Sequence, residues 1–178
     1  AFFVSAGFVG FILYMGAWLT QTHGLKTRQV GLVFAVVGVA SLIGAVAAGP
    51  IADKLGKRGV SLISTIVLAA ALALIPVLHW GAVLFATFLA ASLAFAFRQG
   101  PVQALATELV PRRARGALVA TRTTASQVGI GISTAVCGYL YDAYGYRAVG
   151  FFCAVISLGA AVCITMMREP AERPSEEW

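Results

Sequence analysis

Two arginines stand inside long apolar runs, and they are the residues of this chain best placed to do chemistry. The first lies in Arg98-Gln99-Gly100-Pro101, with Gln103 two residues further on; the second, Arg122, is followed by Thr123, Ser126 and Gln127. A guanidinium presents a planar fork of donors that matches a carboxylate or a phosphate. Arg122 and Ser126 are four apart and share one face of a helix. Pro101 has no N–H for the carbonyl of Phe97, so a bend is expected there, and broken helices with freed carbonyls line cavities in membrane proteins. Counted by helical rise, Arg98 lies ~25 Å from the turn at Gly81 and Arg122 ~9 Å from Gly116. That is a comparable depth from one side. Polar groups in an apolar span are costly and point inward, which makes Arg98, Gln99, Gln103, Arg122, Ser126 and Gln127 candidates for a solute path. The competing reading has Arg122 snorkelling to water and Arg98 paired with Glu108 or with lipid phosphate.

The acids inform by where they are not. All seven (Asp53, Glu108, Asp142, Glu169, Glu172, Glu176, Glu177) fall at the ends of apolar runs or in the tail. A proton-coupled mechanism needs a titratable group inside the membrane, so either another part of the assembly supplies it or no proton is coupled. Glu108 and Asp142 are the two acids nearest such a role, and both read better as structural. Tyr14, Trp18 and Trp80 read as interface anchors, and His23 and His79 as loop residues. The cysteines Cys137, Cys153 and Cys163 lie within apolar runs as small hydrophobes, without metal-ligand spacing or a disulfide framework. No nucleophile–base set, phosphate loop or metal cluster appears, so no enzyme, cofactor or metal is expected.

Those residues must be positioned by helices in a bilayer. Sixty per cent of the 178 residues are hydrophobic and 11% charged, whereas a soluble domain carries about 25% charged residues. The net charge of +6 is spread over short loops without stacking aromatics; it marks a membrane face and no nucleic-acid partner. Six spans are expected: residues 1–20, 30–48, 60–78, 82–106, 117–140 and 148–167, with a polar tail over 168–178. A ~30 Å core needs about 20 residues of helix. Of the thirteen Lys and Arg, three follow the second span, three follow the fourth and two lie in the tail, eight on one side; Lys26, Arg28 and Arg147 are on the other, and Arg98 and Arg122 are within spans. This bias puts both ends of the segment in the cytoplasm. The opening in an apolar run, with no Met and no basic leader, predicts a piece of a longer chain.

Between the second and third spans lies Gly49-Pro50-Ile51-Ala52-Asp53-Lys54-Leu55-Gly56-Lys57-Arg58-Gly59. It reads as a tight charged hairpin, turned by Gly49, Gly56 and Gly59, with Asp53 placed to accept from a neighbouring helix start. The pattern resembles the loop signature of the major facilitator superfamily, Gly-x-Leu-Ala-Asp-Arg-x-Gly-Arg-Arg, at Gly49, Ile51, Ala52, Asp53, Lys54, Gly56, Lys57 and Arg58. Glu108-Leu-Val-Pro111-Arg112-Arg113-Ala-Arg115-Gly116 resembles the same family's acid-x-x-Pro-x-x-x-Arg-Gly link. The resemblance covers the whole chain and implies an all-α membrane protein of six transmembrane helices, half of a twelve-span transporter. The fifth span lacks the Gly-Pro of first-half exporters, and the tail looks like a chain end, so the C-terminal half is expected; drug- and sugar-efflux members are the nearest likeness. The resemblance also implies a gating role for the Asp53 turn, and as partners a second six-span half, the lipid bilayer and a small organic solute, with anions among the fitting classes. The location it implies is the bacterial inner membrane. A non-transporting six-span scaffold and a homodimer of halves are the alternatives.

Overall fold

The computed structural model describes residues 2–108 and 115–166. Within them the chain is a bundle of six α-helices: α1 (Phe2–His23), α2 (Thr27–Leu55), α3 (Lys57–Leu74), α4 (Ala82–Glu108), α5 (Arg115–Tyr144) and α6 (Tyr146–Met166), with a 3-10 turn over Ile75–Val77. Four stretches are long and apolar enough to cross a membrane: Thr27–Ala52, Arg58–Val77, Ala82–Gly100 and Tyr146–Met166. They place the protein in a bilayer. Only 11% of the α2 stretch is buried in the bundle, and Leu32, Val39, Leu42, Ile43 and Val46 are exposed along it. Apolar surface of that extent belongs against lipid or another protein.

The connections are tighter than the sequence suggests. The expected charged hairpin is almost wholly helical: α2 continues through Gly49 and Pro50 to Leu55, and α3 starts at Lys57. Gly56 alone makes the turn, at φ 87, a region closed to residues with a Cβ. Gly49 and Gly59 are ordinary helical residues, which corrects their assignment as turn formers. At 29 residues, α2 is ~44 Å long, more than the hydrocarbon needs, so its last turns can stand clear of the core. The expected turn over Tyr141–Arg147 reduces to Gly145, at φ 76, between α5 and α6. The link expected over 21–29 shrinks to 24–26, because α1 runs on to His23. There the Gln29 side chain accepts from the Lys26 N–H at 2.9 Å and caps the start of α2. At the C-terminal end of α3, Pro76 cannot donate to the carbonyl of Leu72, and the helix tightens into the 3-10 turn.

Packing is pairwise and ordered. α1 lies against α5 and α6, α3 against α4 and α6, and α2 against α4, while α2–α3 and α5–α6 touch less. Exchanging α1–α3 for α4–α6 maps these main pairs onto one another, so the six helices are two interleaved triplets with the same neighbour pattern. The core gathers Phe11, Met15, Trp18, Leu68, Leu72, Leu84, Phe88, Cys137, Val149 and Cys153. In a bilayer, burial of apolar surface does not drive helix against helix, so close contacts and interhelical hydrogen bonds must hold the bundle. Several are present. Ser92 Oγ donates to Val37 O (2.7 Å), Ser133 Oγ to Ala6 O (2.6 Å), Tyr146 OH to Phe11 O (3.0 Å) and Tyr141 OH to Gln21 Oε1 (2.7 Å).

Candidate functional site

Arg98 is the largest of the fully buried side chains among the described residues, at 0% exposure. It is carried by α4, ~15 Å from the helix end at Glu108 by helical rise. The small residues Ala91, Ser92, Ala94 and Ala96 around it are buried too and let the neighbouring helices close in. Its guanidinium carbon sits 5.6 Å from the centre of the Phe95 ring, within cation–π range, where a desolvated contact is worth ~2 kcal/mol. Phe95 in turn stacks on Phe8 of α1, with centroids 3.8 Å apart and planes 16° apart. The arginine is therefore seated on an aromatic pair that joins α1 to α4. The helix runs on through Pro101 to Glu108, as the expected span over 82–106 requires, and burial distinguishes the Arg98 position. The side chains of Gln103 and Glu108 lie outside the described residues; Gln99 is half-buried.

The second arginine is not brought to the first. α4 packs on α2 and α3, whereas α5 packs on α1 and α6. Arg122 and Ser126 are half-buried and Gln127 is exposed on α5. Thr123 and Thr124 turn their hydroxyls onto their own helix, at Val119 O and Ala120 O. Of the second link, Arg112 is outside the described residues, while Arg115 and Gly116 form the first turn of α5 instead of a loop.

At the α2–α3 turn, Lys54 is exposed, and the side chains of Asp53 and Lys57 lie outside the described residues. Arg58 has a partner that the sequence did not suggest: its Nη2 donates to the carbonyl of Thr165 near the C-terminus of α6. A cation there meets unsatisfied carbonyls and the negative end of the helix dipole. The turn is thus tied to α6, across the α3–α6 contact. Lys54 and Arg58 flank Gly56, so the charged turn and the α6 end form one cluster.

Three further groupings were not legible in the sequence. Cys137 and Cys153 lie Sγ to Sγ at 3.8 Å, and Ser133 Oγ is 3.8 Å from Cys137 Sγ; both thiols are fully buried, while Cys163 is exposed. Trp18 is no interface anchor. It is 5% exposed and stacks on Tyr146 at 4.7 Å. At the opposite end of the bundle from Arg58, Trp18, His23, His79, Tyr146 and Arg147 line an open cleft of ≈ 300 Å³. His23 is the last residue of α1, not a loop residue. Burial, reinforced by the charge of His79, holds its imidazole below the usual 6.5. A residue type at a helix end gives no sign of such a cleft; only the convergence of three chain ends does.

Comparison with known proteins agrees with the arrangement. The profile described as Major Facilitator Superfamily matches residues 1–177. The chain is 31% identical over 159 residues to an uncharacterized MFS-type transporter, YwfA, of Bacillus subtilis (strain 168); the match takes in 85% of this chain and 37% of that protein. The chain thus spans well under half the length of this relative. With apolar helices in interleaved triplets, a glycine-turned charged junction and a profile match along nearly its full length, the chain belongs to the Major Facilitator Superfamily.

Proposed function

We propose that this chain is one six-span half of a secondary transporter, the C-terminal one, and that it carries a small organic solute by rocking against a second six-span half. The observation that carries this reading is the completely buried Arg98 on its Phe95–Phe8 stack. A charge at that depth is costly to a helix bundle and is kept where it faces a pathway or a bound counter-charge. Its chemistry favours an anionic solute, met by a guanidinium that is already desolvated and oriented. Arg122, Ser126 and Gln127 lie on α5, which packs on α1 and α6 and not beside Arg98, so a role for them in the path needs a second surface, facing the other half. The span of 37% of a relative that is itself named a transporter supports a partial assembly completed by the remaining half.

In this reading α1 and α5 join the four apolar stretches as membrane spans. The excess of Lys and Arg puts the α2–α3 turn in the cytoplasm, in a bacterial inner membrane. The turn acts as a gate. Arg58 on the carbonyl end of α6 ties α3 to α6, and with Asp53 it biases one of two conformations; a few kcal/mol is enough to move such an equilibrium across its midpoint. Solute binding at Arg98 shifts the balance only by its difference in affinity between the two states.

The test uses the full-length protein in sealed membrane vesicles. Arg98→Ala should abolish flux of organic anions, and Arg98→Lys, which keeps the charge but loses the fork, should retain only part of it. Wild-type flux of any screened solute that Arg98→Ala leaves untouched would remove Arg98 from the path. Absence of flux for every solute class, with correct membrane insertion, would favour the scaffold reading.

A further inference from the structure

The cleft at the end of the bundle opposite Arg58 lies away from Arg98 and is independent of the transport reading. Three chain ends converge on it: the last turn of α1 with Trp18, Thr22 and His23, the 3-10 turn and its exit with Pro76 and His79, and the α5–α6 junction with Tyr144, Tyr146 and Arg147. Its ≈ 300 Å³ is at the small end of ligand sites, enough for a phosphate with a glycerol-sized substituent and too little for a large organic molecule. The charge of the lining is one-sided. Arg147 and two histidines line it, and no carboxylate does among the described residues; Asp142, the nearest acid in sequence, is exposed on the last turn of α5. The N-terminal turn of α6, which Arg147 belongs to, adds its own positive end. His23 has an unmet need: its Nε2 is buried with no hydrogen-bond partner among the described residues. Such an atom costs free energy unless something supplies the missing bond. Its ring is held edge-on to Trp18 at 4.7 Å and lies 5.9 Å from Trp80, so it cannot turn away freely.

We propose that this cleft is a binding site for a phosphate-type oxyanion, held by Arg147, His79 and His23 against a wall of Trp18 and Tyr146. Arg147 makes the charge-assisted contact and His79 adds a second donor, while the enclosed His23 Nε2 gains its partner by a shift of the ring toward the cleft. An oxyanion also offsets the two effects that hold the His23 proton weakly, burial and the charge of His79. Lys26, Arg28 and Arg147 are the cations on these ends, Asp142 is the acid among the described residues there, and Thr22, Tyr141, Tyr144 and Tyr146 carry hydroxyls. The cleft sits where the apolar stretch of α3 ends and that of α6 begins, which in a membrane-spanning bundle is near the lipid head groups. The same chemistry can be supplied by a phosphatidylglycerol head group or by soluble phosphate.

The experiment takes the purified full-length protein in nanodiscs of phosphatidylcholine doped with phosphatidylglycerol. Retained phosphatidylglycerol is counted by native mass spectrometry after release into detergent, and tryptophan fluorescence is followed during titration with inorganic phosphate. A lost charge-assisted contact corresponds to about tenfold or more in affinity. Arg147→Gln should therefore lower retention or the phosphate response at least about tenfold, and His79→Gln by a few-fold. Loss of phosphatidylglycerol retention alone identifies the lipid head group; loss of the phosphate response alone identifies the soluble anion; either supports the site. His79 is exposed and carries the test should Arg147→Gln fail to fold. The proposal is overturned if wild type shows neither preferential retention nor a phosphate response, or if both variants behave as wild type.

Discussion

Adding one methyl group at either of two glycines should move stability in opposite directions. Gly150 and Gly131 are both helical, on α6 and α5, so Gly→Ala at each gains about 0.5–1 kcal/mol of backbone preference. The surroundings differ. A Cβ on Gly131 meets nothing within 4 Å. On Gly150 it would stand 2.4 Å from Pro76 Cγ and 2.7 Å from the carbonyl oxygen of Leu72. Neither neighbour can give way. Pro76 is a closed ring that ends α3, and the Leu72 carbonyl is the backbone group left without a donor by that same proline. The α3–α6 contact must therefore open, and overpacking of this kind costs about 1–3 kcal/mol. Taken at mid-range and net of the helix gain, Gly150→Ala should lose about 1.3 kcal/mol, a factor of about 9 in the folded population. Gly131→Ala should be neutral or gain about 0.5 kcal/mol. Unfolding of the full-length protein in detergent, followed by circular dichroism during denaturant titration, measures both. A neutral or stabilising Gly150→Ala, or equal losses at the two sites, would refute the packing described for α3 and α6.

Three other substitutions test separate links. Tyr146→Phe removes the hydroxyl that donates to Phe11 O from a residue 4% exposed; the loss should be about 0.6–1.7 kcal/mol in the same unfolding assay, and no loss would mean the bond adds nothing. His23 is held below 6.5, so its contribution to stability is complete above that pH and is lost as pH falls through the lower folded-state value. Melting temperature recorded from about pH 7.5 to about pH 5 should fall more for wild type than for His23→Gln; parallel curves would contradict the assignment. Asp53→Asn, on the gating reading, should slow flux while leaving solute binding in place, measured by transport and equilibrium binding on the same preparation. Loss of binding with normal membrane insertion would count against a gate.

Much of this architecture was legible in the residues. Apolar runs between charged links foretold six helices, and Arg98 was conspicuous because an arginine seldom sits in such a run. Helix ends were read less well, because in water Gly and Pro end helices, whereas in α2 they do not: the helix continues through Gly49-Pro50 to Leu55. In a bilayer an unpaired backbone group has no water to turn to, which favours keeping the helix. Partners across helices were not legible at all. Nothing in the spacing of Phe8 and Phe95 announces a stacked pair under Arg98, nor does Arg58 announce the Thr165 carbonyl, since both depend on which helices become neighbours. Trp18 was misjudged for the same reason: its place near a span end suits an interface, yet Tyr146 folds over it.

The central claim is that apolar helices carry the α2–α3 turn to the cytoplasmic side and the His79 turn to the other. Labelling of an introduced cysteine with a membrane-impermeant maleimide tests it directly, in full-length protein whose exposed Cys163 is replaced by serine and whose Cys137 and Cys153 stay buried. Lys54→Cys should react only after the cells are opened, and His79→Cys should react in intact cells. Labelling of Lys54→Cys from outside intact cells, with His79→Cys protected, would contradict the account.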